Sequence, residues 1–188
     1  MAHSKYTAAI ETNIIYHVYN RAIGQAQSFL EDADYHRFLG TISSKLLPVS
    51  EIYAYCLLSN HYHFMLKVTS QPLHFSKAMG ELGVSYAKWF NQKYSRQGAL
   101  FISPFKRLAL ASDIELAWLP WYIHRNPLHH GVTQHWADYK WSSFSAYATG
   151  KPTKLNTNFL LDFYGGRDKM VRHHAANDAL WRGESFED

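Results

Sequence analysis

Apolar residues along this chain fall into short β-branched or aromatic runs, separated by stretches in which they recur every three or four positions. NIIYHVYN (13–20) is such a run and predicts a first strand. In DADYHRFLGTISSKLL, Tyr35, Phe38, Leu39 and Ile42 share helical spacing, and Pro48 ends that helix. EIYAYCLL (51–58) predicts a second strand. A short turn at Ser59 and Asn60 leads into a third, HYHFMLKV (61–68), as its hairpin partner. From Pro72 to Tyr94 the pattern is helical, closed by RQG (96–98), and Tyr86, Trp89, Phe90 and Tyr94 recur on its apolar face as core. ALFISPFKRLAL returns to β character, interrupted by Pro104. SDIE (112–115) has the form of a capping box and opens another helix. Pro120 either starts a fresh short helix or kinks that one, and Pro127 discourages helix beyond Asn126. After Gly131 come an aromatic-rich segment and shorter polar and helical pieces.

Strands and helices interleave across short turns, which predicts an α+β fold: an antiparallel sheet with helices on one face. The chain has 188 residues, 47% of them hydrophobic, so a single domain with a sizeable core is expected and intrinsic disorder is excluded. A net charge of +4 favours anionic partners without singling out nucleic acid. The 13 Tyr, 11 Phe and 6 Trp are the stronger anomaly, because aromatic side chains both fill cores and stack on bases. The one cysteine, Cys56, sits among apolar neighbours and reads as a buried thiol, in keeping with a reducing, cytoplasmic location. No signal peptide is read at MAHSKYTAAI and no apolar run reaches membrane-spanning length, so no membrane partner is expected.

Two histidines interrupt the third strand. Successive strand side chains alternate faces, so His61 and His63 project together while Tyr62 and Phe64 point the other way. Two same-face neutral imidazoles can share a divalent ion, although a chain with 12 histidines also produces such a spacing by chance. His129 with His130, and His173 with His174, are adjacent pairs whose side chains diverge, and they are expected at the surface. PWYIHRNPLHHG (120–131) offers a third ligand. Tyr122 and Asn126 are four apart on one helical face, where an amide oxygen suits Mg²⁺ or Mn²⁺ and a phenol can act as a nucleophile. The competing reading is a core tyrosine and an asparagine that caps the helix end.

Taken together, NHYH (60–63) and, about sixty residues later, YIHRNP (122–127) resemble the paired motifs of the single-tyrosine HUH transposases, in which U is a bulky apolar residue. The similarity is greatest to the REP-associated tyrosine transposases and their insertion-sequence relatives. YHVYNR (16–21) and GALFISPFKR (98–107) support it, and it covers residues 12–147. Where the family commonly has proline before Asn-His, this chain has Ser59, and Pro120 lies close before the tyrosine.

The resemblance implies a ferredoxin-like (RRM-like) sheet with the HUH motif on a central strand. A transposase domain would span residues 1–150, with 151–188 a C-terminal helical extension packed on it. It implies Tyr122 as nucleophile, His61, His63 and Asn126 around Mg²⁺ or Mn²⁺, and Asn20, Arg21, Lys106 and Arg107 as DNA contacts. The substrate would be single-stranded or hairpin DNA, cleaved and rejoined through a 5′-phosphotyrosine. A homodimer is compatible with it, because the tyrosine could serve its own subunit's metal site or a partner's. Two other readings use the same residues: a hairpin-binding protein without catalysis, and a metal-dependent nuclease that uses water.

Overall fold

A computed structural model of the chain describes residues 9–24 and 26–176. β1 (Ile15–Arg21), α1 (Asp32–Lys45), β2 (Ser50–Leu57), β3 (His61–Val68), α2 (Pro72–Lys93) and β4 (Lys106–Ala109) follow in that order. The strands form one four-stranded sheet in the order β2-β3-β1-β4, every neighbouring pair antiparallel. Each helix therefore crosses over between strands that another strand separates, which is the split βαβ plan of a ferredoxin-like sheet. β3, with His61 and His63, is one of the two central strands.

One face of the sheet is set by the alternation in β1 and β3. Tyr16 and Val18, with Tyr62, Phe64, Leu66 and Val68, meet Tyr35, Phe38 and Ile42 of α1 and Met79, Leu82, Tyr86 and Phe90 of α2. Asp34, buried at the start of α1, is held by Lys93 Nζ at 2.6 Å and by the Tyr94 hydroxyl, locking the start of α1 to the end of α2.

The other face is covered as well, which corrects the expectation of helices on one face only. α3 (Asp113–His129) lies across β2 and β3, and Leu119, Trp121, Tyr122 and Ile123 build a second core with Tyr53, Ala54, Cys56, Leu58 and Met65. A register shift between Ile52 and Ala54 in β2 lets Tyr53 and Ala54 both reach this core. Burial on both faces explains why His61 through Leu66 is buried without interruption. Cys56 is a free, buried thiol.

α3 also runs through both of its prolines to His129, where Pro127 was expected to stop it. Leu119 through Pro127 are buried on every side, so tertiary contacts offset the backbone hydrogen bonds that proline cannot make. The expected cap is present: Ser112 Oγ accepts from Glu115 N at 3.2 Å, and Glu115 Oε2 accepts from Ser112 N at 3.1 Å.

Beyond a 3-10 turn at Trp136–Asp138, the chain forms α4 (Phe144–Thr149), α5 (Thr157–Tyr164) and α6 (Arg167–Ala176). This part covers the β2 edge: Leu57 N donates to Trp141 O, Ser143 N to Tyr55 O, and Asn156 N to Ile52 O. α6 packs on α4 and α5. The rest of the expected C-terminal extension, 177–188, lies outside the described residues. The surface expectation fails for His174, which is fully buried, and His129 and His173 are half-buried; His130 is exposed. Adjacent side chains do diverge, but here one of each pair diverges into a second layer of protein. No helix among the described residues is long and apolar enough to cross a membrane.

Candidate active site

Register brings the strand-borne half of the site together. Tyr19 lies opposite His63 and Arg21 opposite His61, so His17, Tyr19, Arg21, His61 and His63 share the face that looks toward α3. His17 Nε2 and His63 Nδ1 are hydrogen-bonded at 3.0 Å, and both rings stack with Tyr19. His61 Nδ1 donates to Asn60 Oδ1 at 2.6 Å, and the His61 and His63 ring centres are 5.0 Å apart. With each Nδ1 committed to a neighbour, Nε2 is the nitrogen through which either imidazole would ligate an ion.

α3 supplies the other half. The Tyr122 ring stands edge-on to His17 and to His63, 6.0 Å from each centre. Tyr122 is only 2% exposed. One turn on, Asn126 Nδ2 donates to Tyr122 O at 3.0 Å. A carbonyl can only accept, so the amide must present its nitrogen there and turn Oδ1 away; that oxygen is buried without a hydrogen-bond partner among the described residues. The end of the helix closes over the site, with the His129 ring 5.6 Å from Tyr122 and the His130 ring 4.5 Å from His61. Burial, reinforced by the Arg125 cation, pushes the His129 imidazole down to about 4, so it is neutral at neutral pH.

The candidate donors for an ion are two imidazole Nε2 atoms and one amide oxygen. Among the described residues no group of three or more His, Cys, Asp or Glu side chains is arranged to hold a metal ion. An asparagine oxygen lies outside that kind of group. The buried, unsatisfied Asn126 Oδ1 fits a cation, because a carbonyl oxygen cut off from water gains most from one.

The four candidate DNA contacts separate onto two faces. Arg21 and Lys106 lie on the α3 side, beside the histidines, and Lys106 Nζ sits 5.6 Å over the Tyr19 ring. Asn20 and Arg107 lie on the opposite side. Asn20 is engaged with backbone: its Nδ2 donates to Ile102 O and its Oδ1 accepts from Arg21 N. Arg107 covers the Phe105 ring.

No protein-family model matches the chain, and no curated protein matches its sequence. Its structure superposes on the REP-associated tyrosine transposase bound to a REP hairpin with a TM-score of 0.61, at 18% identity, over 81% of this chain and 90% of the other. The two share a fold. A bacterial tRNA(His) guanylyltransferase-like protein superposes more loosely in its ATP and GTP complexes. Its TM-scores are 0.48 and 0.44, at 13% and 12% identity, over 84% and 71% of this chain and 71% and 74% of the other.

Sequence reasoning did not single out His17 and Tyr19 as neighbours of the candidate site, and it read Asn60 only as part of the NHYH motif. Their signal was available only in part: His17 and Tyr19 are spaced to share a face, but only the pairing of β1 with β3 shows which residues they meet. Tyr139 and Tyr147, the other tyrosines of the same region, spend their hydroxyls on Leu57 O and Tyr53 O.

Proposed function

We propose that this protein cleaves and rejoins single-stranded or hairpin DNA through a 5′-phosphotyrosine on Tyr122, with Mg²⁺ or Mn²⁺ held by His61, His63 and Asn126. The observation that carries this reading is the meeting of Tyr122 with His63 across the sheet face, 6.0 Å between ring centres, within one chain. The shared fold supports it, and the hairpin on the solved relative makes hairpin DNA the substrate form to try first.

In this reading the Tyr122 oxygen forms a bond to phosphorus as the bond from phosphorus to the 3′ oxygen breaks. The phenolic proton leaves and the 3′ oxygen departs to become a hydroxyl. His61, His63 and Asn126 would hold the divalent ion, which would supply electrostatic stabilisation of the negative charge that develops during phosphoryl transfer. His17 and Asn60 orient the two imidazoles, and burial of Tyr122 keeps competing water from the phosphotyrosine. The ester conserves the energy of the broken bond, so a second 3′-hydroxyl can reverse the step on another strand without ATP. Arg21 and Lys106 would meet phosphates beside the site, with Arg107 reaching the strand from the far face and Asn20 bracing the Ile102 segment.

The test is a labelled hairpin oligonucleotide with Mg²⁺, run on a denaturing gel. Tyr122→Phe should lose the covalent adduct and keep hairpin affinity, since the ring and its contacts remain. An adduct forming in Tyr122→Phe at the wild-type rate would assign the wrong tyrosine. The burial of Tyr122 favours one second reading, hairpin binding without cleavage. The same gel separates it, because that protein binds and never forms an adduct.

A further inference from the structure

His124 lies between Tyr122 and Asn126 in sequence yet roughly 200° around the helix from Tyr122, facing away from the sheet. It is fully buried there, in a chain of hydrogen bonds that crosses three elements. His174 Nδ1 meets Met170 O at 2.9 Å, His174 Nε2 meets His124 Nδ1 at 2.9 Å, and His124 Nε2 meets Ser143 Oγ at 2.7 Å. Ser143 Oγ in turn accepts from Tyr55 N of β2 at 2.8 Å.

The direction of every bond is determined. Met170 O can only accept, so His174 carries its proton on Nδ1 and accepts at Nε2. His124 must then donate from Nδ1 and accept the Ser143 hydroxyl at Nε2. Burial keeps both rings neutral, and Ser143 Oγ lies 3.2 Å from Tyr55 O as well, so its one hydroxyl proton is shared between His124 Nε2 and that carbonyl.

Tyr122 needs such an anchor because of the prolines around it. Pro120 and Pro127 have no N–H, so the carbonyls of Leu116 and Ile123 lose their helical donors on either side of the Tyr122 turn. The helix ladder alone fixes the rotation of that turn weakly. The tie from His124 to the β2 backbone fixes it from outside, and α6 completes the tie through His174.

We propose that Ser143 and His174 are positioning residues for Tyr122, acting through His124 to set the rotation of α3 against the sheet. This rests on the proposed role of Tyr122 as nucleophile. His174→Phe keeps a ring and removes both hydrogen bonds, whereas His174→Gln offers an amide that can donate to Met170 O and accept from His124. At saturating hairpin, the single-turnover rate of adduct formation should fall about 10- to 100-fold in His174→Phe, as misplacement of a reacting group does, with hairpin affinity unchanged. His174→Gln should recover most of the loss. Ser143→Ala breaks the tie at its other end and should show the same split between rate and affinity, which carries the test should His174→Phe not fold. A folded His174→Phe or Ser143→Ala protein that forms adduct at the wild-type rate would overturn the proposal, as would no recovery in His174→Gln. If the wild type itself forms no adduct, the nucleophile reading fails, and positioning is then read without cleavage. The fluorine resonance of 3-fluorotyrosine at position 122 should move in His174→Phe and return in His174→Gln; an unmoved resonance overturns it.

Discussion

An imidazole ligates through one nitrogen only when something decides which nitrogen is bare. At His61 the deciding group is Asn60 Oδ1, and at His63 it is His17 Nε2. Asn60 Oδ1 can only accept, so it fixes the His61 tautomer, while the His17 contact holds the plane of the His63 ring; in the proposed ion site such outer partners would preorganise the ligands. Isothermal titration with Mn²⁺ should therefore show binding that is lost in His61→Ala/His63→Ala. It should be weakened about 10- to 100-fold in His17→Phe, which keeps a buried ring but removes the partner of His63. Equal Mn²⁺ affinity in the double variant and the wild type would sink the ion site; equal affinity in His17→Phe would mean His63 is oriented by other contacts. That His61 and His63 share a face was legible from the sequence because a period of two is a local property. The contact of His17 with His63 was not, because it depends on which residue of another strand lies beside it.

At the scale of elements, α3 shows where sequence rules held and where they gave way. Its start obeyed a local rule: the Ser112 and Glu115 capping box formed, and Ser112→Ala should cost about 1 kcal/mol in urea unfolding. Its end did not, because the rule that proline stops a helix weighs only backbone terms, and burial from Leu119 through Pro127 outweighs them. The same burial hid the second layer, since a helix apolar on nearly all sides gives no single face to read. β4 is confined to Lys106–Ala109, shorter than the apolar run that pointed to it, because Pro104 cannot join a ladder. The α3–α6 contact carries its own signature in pH. Burial holds His174 down to about 4 and His124 well below its usual value, the neighbouring His174 adding to the latter. An unfolded histidine titrates near 6.5, so between about 6.5 and about 4 the unfolded chain takes up protons that the folded chain refuses. Stability is then full above that window and falls as pH drops through it, by about 3 kcal/mol for His174. Urea midpoints should fall between about pH 7.5 and about pH 5, and His174→Gln should flatten that slope. A midpoint that holds steady in the wild type would contradict neutral burial of the pair.

Across the whole molecule, α1 and α2 cover one side of the sheet and α3 covers β2 and β3 on the other. In the proposed function the phosphate chain would approach the end of the sheet where β1 stops and β3 starts, at Arg21 and His61, beside Lys106 on β4. Arg21 and Lys106 are exposed there, while the overall surplus of charge is only +4. With 19 Lys and Arg largely offset by 15 Asp and Glu, the net surplus gives little of the sequence-independent attraction by which basic proteins hold duplex DNA. For the proposed hairpin substrate, selection would then come from shape and from strands free of a complement, which can bend toward Tyr122 where a duplex cannot. Competition at equal salt should favour a hairpin with a single-stranded flank over a duplex of matching sequence. Affinity should decline with salt, and Lys106→Ala should lower the slope of log affinity against log salt by about one, the loss of a single phosphate contact. A duplex that competes as well as the hairpin would place the binding surface elsewhere on the protein. A slope unchanged in Lys106→Ala would take that lysine off the DNA path.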